Sequence, residues 1–225
     1  MNELTAVVLG ATGLTGSLLL EELLKDKDYK TVRILVRRKV NVIHPKLEQE
    51  IVNFNDTDDY MQKFGDGDVI FSCIGTTQKK VKGDKTLYKK IDFDIPVNAA
   101  KIGVSKKYKK FLIVSAIGAN ANASNFYLRL KGKTENTLKE FPFKSIAIFQ
   151  PSIISGNRIE KRTIEKIAQT IMDLVSFSFF GPLEKYKAIG ADNIARAMLN
   201  ESKQNKSGVN IYKYNEMMEL ARLSL

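Results

Sequence analysis

Seven residues near the N-terminus, Gly10-Ala11-Thr12-Gly13-Leu14-Thr15-Gly16, have the make-up of a phosphate cradle. Glycine lets the backbone turn sharply and brings N–H groups close to an anion with no Cβ in the way. The apolar run Ala6–Leu9 leads straight into this loop, and Leu14–Lys27 follows with helical spacing. The loop is therefore expected at a strand–helix junction, where the first N–H groups of the helix are free to hold a diphosphate. Gly10 would make the turn, Gly13 would allow close approach, and Gly16 would let the helix lie close on the sheet. Thr12, Leu14 and Thr15 complete the expected contacts. An ordinary strand–helix turn also uses glycine, but three at this spacing directly after a first strand point to a dinucleotide.

The next strand bears on which dinucleotide. A carboxylate about 20 residues beyond the glycines holds a ribose 2′-hydroxyl in sites that take NAD. Here the second strand ends in Arg37-Arg38-Lys39, and no acidic residue occurs from Arg33 through Leu47. A guanidinium can grip a 2′-phosphate with two charge-assisted hydrogen bonds. Arg37 and Arg38 thus favour NADP(H) over NAD(H).

Tyr127 and Lys131 stand four residues apart in a helical stretch, so they share a face. A phenol ionises near pH 10, too high for easy proton exchange at neutral pH. A neighbouring ammonium stabilises the phenolate, which makes such a pair a candidate acid/base. With eight tyrosines in a lysine-rich chain, one such spacing is expected by chance, so position supplies the weight. Ser115, twelve residues earlier, closes a strand whose carboxyl end faces the ligand crevice of a doubly wound sheet. Ser115 and Tyr127 are expected to converge on one substrate oxygen. Gly132 fits a close approach, because a mid-helix glycine costs about 1 kcal/mol against alanine.

The elements that must position these groups alternate. Strands are expected at Leu4–Gly10, Thr31–Val36, Glu50–Phe54, Asp68–Ile74, Lys110–Ser115 and Lys144–Phe149. Helices are expected at Leu14–Lys27, with Leu18, Leu19, Leu23 and Leu24 inward, at Thr86–Ile102 with a kink or start at Pro96, and at Phe126–Lys139. The pattern describes an α/β fold, a doubly wound parallel sheet. Residues 1–150 would form the Rossmann core and 151–225 a small substrate-side lobe packed on it. In that lobe Glu160–Phe177, Asp192–Ser202 and Asn215–Leu223 read as helical and Val209–Tyr212 as a late strand. Phe177, Phe179 and Phe180 suit either lobe core or an apolar cleft.

Composition narrows the function classes. A single histidine, His44 before Pro45, and a single cysteine, Cys73 in an apolar run, cannot build a zinc site or an intrachain disulfide. Both read as structural, and no metal is expected. The formal charge is +11, and 28 of the 36 basic residues are lysine. That balance suits an anionic ligand. The clusters Lys79-Lys80-Val81-Lys82 and Lys106-Lys107-Tyr108-Lys109-Lys110 carry no nucleic-acid-binding pattern and read as solvated surface. No apolar run is long enough for a membrane span, and Glu3 stands where a leader would be basic. The expected location is cytoplasmic.

Together the markers resemble the short-chain dehydrogenase/reductase superfamily, and more closely its atypical branch around the Tat-interacting oxidoreductase-like proteins. They are Gly10–Gly16, Leu35-Val36-Arg37-Arg38, His44-Pro45-Lys46-Leu47, Gly75-Thr76-Thr77, Val114-Ser115-Ala116 with Gly118-Ala119-Asn120, Tyr127-Leu128-Arg129 with Lys131-Gly132, and Pro151-Ser152 leading to Gly156 and Arg158. The resemblance implies that Gly75 and Thr76 line the cofactor cleft and that Pro151–Ile153 lies near the nicotinamide. It also implies that Ser115, Tyr127 and Lys131 match the superfamily's catalytic triad, with Lys131 reaching the nicotinamide ribose. Two positions depart from the wider pattern. Asp92 stands where the superfamily often has a catalytic Asn, and Gln150 where relatives often carry Arg. Two functions are expected from this set. One is an NADP(H)-dependent oxidoreductase on a small carbonyl or alcohol; the other is an NADP(H)-binding regulatory or scaffold protein with a protein partner. A monomer and a homodimer are equally compatible with the sequence.

Overall fold

The structure is a computed structural model that describes residues 3–156 and 187–223. Seven parallel strands form one sheet: β1 (Leu4–Leu9), β2 (Tyr29–Val36), β3 (Leu47–Ile51), β4 (Val69–Ser72), β5 (Lys110–Val114), β6 (Ser145–Phe149) and β9 (Gly208–Tyr212). Their order is β3-β2-β1-β4-β5-β6-β9, so the direction of winding reverses between β1 and β4. Two short strands, β7 (Ile154–Ser155) and β8 (Ile189–Gly190), pair separately beyond the sheet.

Strand β1 shows why the sheet is covered on both faces. Its side chains alternate, Ala6 and Val8 toward one core and Val7 and Leu9 toward the other. The first core holds α1 (Leu14–Lys25), α6 (Ala191–Lys203) and α7 (Tyr214–Arg222) against the sheet. The second holds α2 (Thr57–Phe64), α4 (Ile95–Ser105) and the far end of α5 (Phe126–Lys139). Short α3 (Lys85–Lys89) runs through a π-helical turn, Lys90–Asp94, into α4. Pro96 sits in the first turn of α4, directly after the π-helical turn.

The doubly wound parallel sheet is the architecture the sequence implies, with four local corrections. The third strand runs Leu47–Ile51 rather than Glu50–Phe54, because its register with β2 begins at Val32 opposite Leu47. Residues 53–56 instead lead into α2, which the pattern missed. Asp56 caps that helix through the N–H groups of Asp58 and Asp59, and Tyr60 and Phe64 are buried on one face. In α1 the buried leucines are Leu19, Leu20, Leu23 and Leu24, with Leu18 only half-buried. Residues beyond 150 are not all a lobe: β9 extends the sheet beside β6, and α6 packs on α1. The expected helix Glu160–Phe177 and residues Arg158, Phe177, Phe179 and Phe180 lie outside the described residues.

Candidate functional site

Gly10 adopts φ +80°, and a Cβ there would stand 2.7 Å from the backbone carbonyl of Cys73 at the end of β4. The turn is thus pressed against the neighbouring strand at the winding reversal, and only glycine fits. Gly13 N–H donates to the Gly10 carbonyl (2.9 Å), closing the turn. Gly16, in the first turn of α1, would put a Cβ 2.1 Å from the Gly10 carbonyl oxygen. Its role is therefore to pack the helix on the loop itself rather than on the sheet. Among the described residues no side chain caps α1, and its first turn holds no acidic residue. Its N–H groups at Leu14, Thr15 and Gly16 point out of a twelve-residue helix with the positive end of its dipole uncompensated. These residues fit a diphosphate. Gly156, just past β7, lies over the same loop, with an added Cβ 2.9 Å from Leu14 Cδ1.

Arg37 and Arg38 follow β2 and are exposed. Arg37 lines a cleft of about 590 Å³ at the carboxyl ends of β2 and β3, with Asn53, Phe54, Ile91 and Ile95 among its walls. Pro151 is buried, and its carbonyl accepts from Ile117 N–H; the Ile153 carbonyl accepts from Ile189 N–H, which seats β8 beside β7.

The second group of residues meets around α5. Lys131 is buried, and its Nζ lies 6.0 Å from the centre of the Tyr127 ring. Asp92, in the π-helical turn, is also buried and holds that ammonium at 3.0 Å through Oδ1. Its other oxygen accepts the Thr76 N–H (2.9 Å), and the Thr76 carbonyl accepts the Tyr88 hydroxyl (2.9 Å). Gly75 is exposed in the same loop. Burial opposes the Lys131 charge, but Asp92 and then Tyr127 outweigh it, so Lys131 stands above the ordinary lysine pKa. Burial also pushes the Tyr127 phenol up; Lys131 pulls it down and Asp92 pushes it up, leaving it above its ordinary value.

Ser115 is placed differently from expectation. Its hydroxyl donates to Glu135 Oε1 (2.5 Å), one turn beyond Lys131 on α5. Gln150 Nε2 donates to both oxygens of the same carboxylate, at 3.0 Å each. A hydroxyl has one proton, so Ser115 can donate to a substrate oxygen only after releasing Glu135. Sequence reasoning missed Glu135. Its signal was spacing, since Tyr127, Lys131 and Glu135 recur every four residues. Gly132, on the same helix, meets the β5–α5 loop: a Cβ would stand 2.2 Å from the Asn120 carbonyl carbon. Cys73 and His44 are structural. The Cys73 sulfur lies 3.8 Å from Met198, and burial pushes its thiol up to about 12. His44 Nδ1 accepts the Lys46 N–H in the turn before β3. Among the described residues no cluster of metal-ligating side chains occurs.

A glycine turn at the first strand–helix junction, at the winding reversal of a seven-stranded parallel sheet, defines an NAD(P)-binding Rossmann protein. A family model described as NAD(P)H-binding matches residues 10–146. The rat protein HTATIP2 is 31% identical over 215 residues, covering 92% of this chain and 85% of the relative. The chain therefore belongs to the NAD(P)H-binding family, on the HTATIP2-like branch of the short-chain dehydrogenase/reductases. The protein FMP52, mitochondrial, of Eremothecium gossypii is 31% identical over 222 residues, covering 97% of this chain and 98% of its own. That name, shared by the Candida albicans relative (26% over 210 residues), overturns the cytoplasmic location expected from the sequence. No helix among the described residues is long and apolar enough to cross a membrane. Among solved structures, the Bordetella bronchiseptica enzyme WbmH in complex with NAD+ superposes with a TM-score of 0.72 at 14% identity, over 94% of this chain and 76% of that one. A UDP-N-acetylglucosamine 4-epimerase from Methanobrevibacter ruminantium gives 0.68 at 19%, over 97% and 81%. At these identities the likeness is one of fold.

Proposed function

We propose that this chain is an NADP(H)-dependent oxidoreductase acting on a small carbonyl or alcohol. The observation that carries the reading is the buried Lys131 ammonium, set 6.0 Å from the Tyr127 ring and held there by Asp92. An ion pair this deep is costly to build for stability alone, because desolvation consumes most of the attraction. The glycine turn would hold the diphosphate, and the cleft beside Arg37 has the size and apolar walls an adenine needs. Arg37 and Arg38 would hold a 2′-phosphate, which is the basis for preferring NADP(H). Bound there, the nicotinamide supplies or accepts a hydride. Tyr127 gives its phenolic proton to the oxygen of a reduced carbonyl, or takes one from an alcohol. Lys131 sets the charge beside that phenol. Ser115 would act through Glu135, or orient the substrate once that bond opens.

The test is a panel of carbonyl compounds with NADPH, run on the wild type and on Tyr127→Phe. Turnover lost by at least about a hundredfold in the variant, with NADPH affinity kept, is the expected result. Equal turnover in both proteins overturns the assignment of Tyr127. A second reading, an NADP(H)-responsive regulatory protein, is favoured by the commitment of the Ser115 proton to Glu135. It predicts tight NADPH binding, no turnover on any compound, and a protein partner captured in one redox state only.

A further inference from the structure

Asp92 has more bonds than a spectator needs. It sits in a π-helical turn, a break in helical pattern that recurs at functional positions. Its two oxygens face two different parts of the site. One meets the Lys131 ammonium at 3.0 Å, and the other takes the Thr76 N–H from the loop after β4. The turn that carries it lies against α5, where the Thr134 hydroxyl donates to the Leu130 carbonyl of its own helix (2.9 Å) and stands 3.2 Å from the Asp92 backbone carbonyl. The charged and titratable groups around Tyr127 are Lys131 on its own helix, Asp92 on the π turn and Tyr88 on α3, whose ring centre is 6.5 Å away. Those around Lys131 are Asp92, Tyr127 and Glu135. Glu135 also meets Lys139 at 3.9 Å, so two cations stand with two carboxylates, and Asp92 is the carboxylate that balances Lys131 and leaves it no surplus charge to favour a phenolate.

We propose that Asp92 is a positioning residue whose carboxylate, anchored on one side by the Thr76 N–H, holds the Lys131 ammonium on the other, keeping Tyr127 a proton donor and fitting the site to carbonyl reduction at neutral pH. This rests on the oxidoreductase reading of the same site. Asp92 cannot move the equilibrium between carbonyl and alcohol. It sets the pH range over which each direction runs. With Lys131 neutralised, Tyr127 stays protonated across neutral pH, and removal of a proton from an alcohol is confined to alkaline pH. In reduction the hydride goes to the carbonyl carbon from NADPH, which becomes NADP+, and the phenolic proton goes to the oxygen, to be replaced from solvent.

The experiment follows the phenol directly. Protein labelled with 13C at tyrosine Cζ is titrated by NMR, with Tyr127→Phe assigning the Tyr127 signal. Asp92→Asn keeps an acceptor for the Thr76 N–H and removes the charge. It is expected to lower the pH at which Tyr127 ionises by about one unit or more, the scale of one lost opposing charge at close range. Asp92→Ser, which also removes the charge and leaves an oxygen, carries the test if Asp92→Asn does not fold, and the same downward shift is expected of it. A purely structural Asp92 would leave the Tyr127 titration where it was, and that result overturns the proposal. NADPH affinity, measured by calorimetry on the same samples, separates the two layers. A Tyr127 signal that moves as described in a protein that binds no NADPH would retain the role of Asp92 and remove the oxidoreductase reading.

Discussion

At the scale of single residues, the glycines and arginines make the sharpest predictions because their surroundings leave little room. Gly16→Ala would place a Cβ 2.1 Å from the Gly10 carbonyl oxygen. Overpacking of that kind costs about 1–3 kcal/mol. Alanine in a helix returns about 1 kcal/mol against glycine. The variant should therefore remain folded while its phosphate turn is displaced, and calorimetry should show NADPH affinity reduced by about tenfold or more. Arg37→Ala with Arg38→Ala tests the other end of the cofactor. Each hydrogen bond to a charged group is worth about 1.5–3 kcal/mol. NADPH should bind about 10–100-fold more weakly and NADH as before. Equal losses for both would remove the 2′-phosphate from the account. These positions were legible in sequence because glycine and arginine were read at fixed distances from a strand. Glu135 was not, and neither was the clamp on Lys131. A carboxylate on a helix looks the same in sequence whether it faces water or, as here, Ser115 and Gln150. Only the packing of α5 on the ends of β5 and β6 decides between them.

At the scale of elements, legibility followed local pattern. Strands β1, β5 and β6 and helices α1 and α5 announced themselves through apolar runs and helical spacing, and α5 came out at Phe126–Lys139 as expected. Helix α2 was invisible because its apolar face is only Tyr60 and Phe64 amid Asp58, Asp59 and Lys63. Its start was encoded by a capping side chain, Asp56, rather than by periodicity. The fastening of α6 is likewise long-range. Lys203, in its last turn, reaches Asp26 at 2.7 Å and Asp28 at 3.3 Å in the turn between α1 and β2. Burial opposes its charge, but the two aspartates outweigh it and raise its pKa above the ordinary lysine value. A raised folded-state pKa means the pair stabilises fully below the unfolded lysine value of about 10.4 and fades as pH climbs through the folded one. Lys203→Met should therefore cost about 1–3 kcal/mol at pH 7, between the surface and buried cases. Urea unfolding should show that difference shrinking above about pH 10.4. A difference that grew with pH would mean the lysine acts through packing of its stem.

At the scale of the molecule, the contrast between a core ending near Gln150 and the observed sheet yields a prediction about what folds alone. Strand β9 is the last strand of the sheet, and Tyr212 stacks on Phe149 of β6 with ring centres 5.1 Å apart. Helix α6 buries Ile194, Ala195, Ala197 and Met198 in the same cluster as Leu19, Leu20 and Leu23 of α1. The element that presents the phosphate-binding N–H groups therefore has its back covered by residues that follow the site by more than forty positions. A large apolar side chain loses about 1.5–3 kcal/mol when its cover is removed. Three α1 leucines, Phe149 and Val8 together exceed much of the 5–15 kcal/mol that holds a typical domain. Residues 1–150 alone should thus fail to form the site, although they contain all of the glycine turn, Arg37, Tyr127 and Lys131. A poorly dispersed amide NMR spectrum, and no heat on titration with NADPH, is the expected outcome. A dispersed spectrum with NADPH bound would show that α6 and β9 only decorate the cofactor fold. With the expected outcome, the chain after Pro151 serves two ends: Gly156 lies against Leu14 of the glycine loop, and α6 packs on that loop's helix while β9 completes the sheet beside β6.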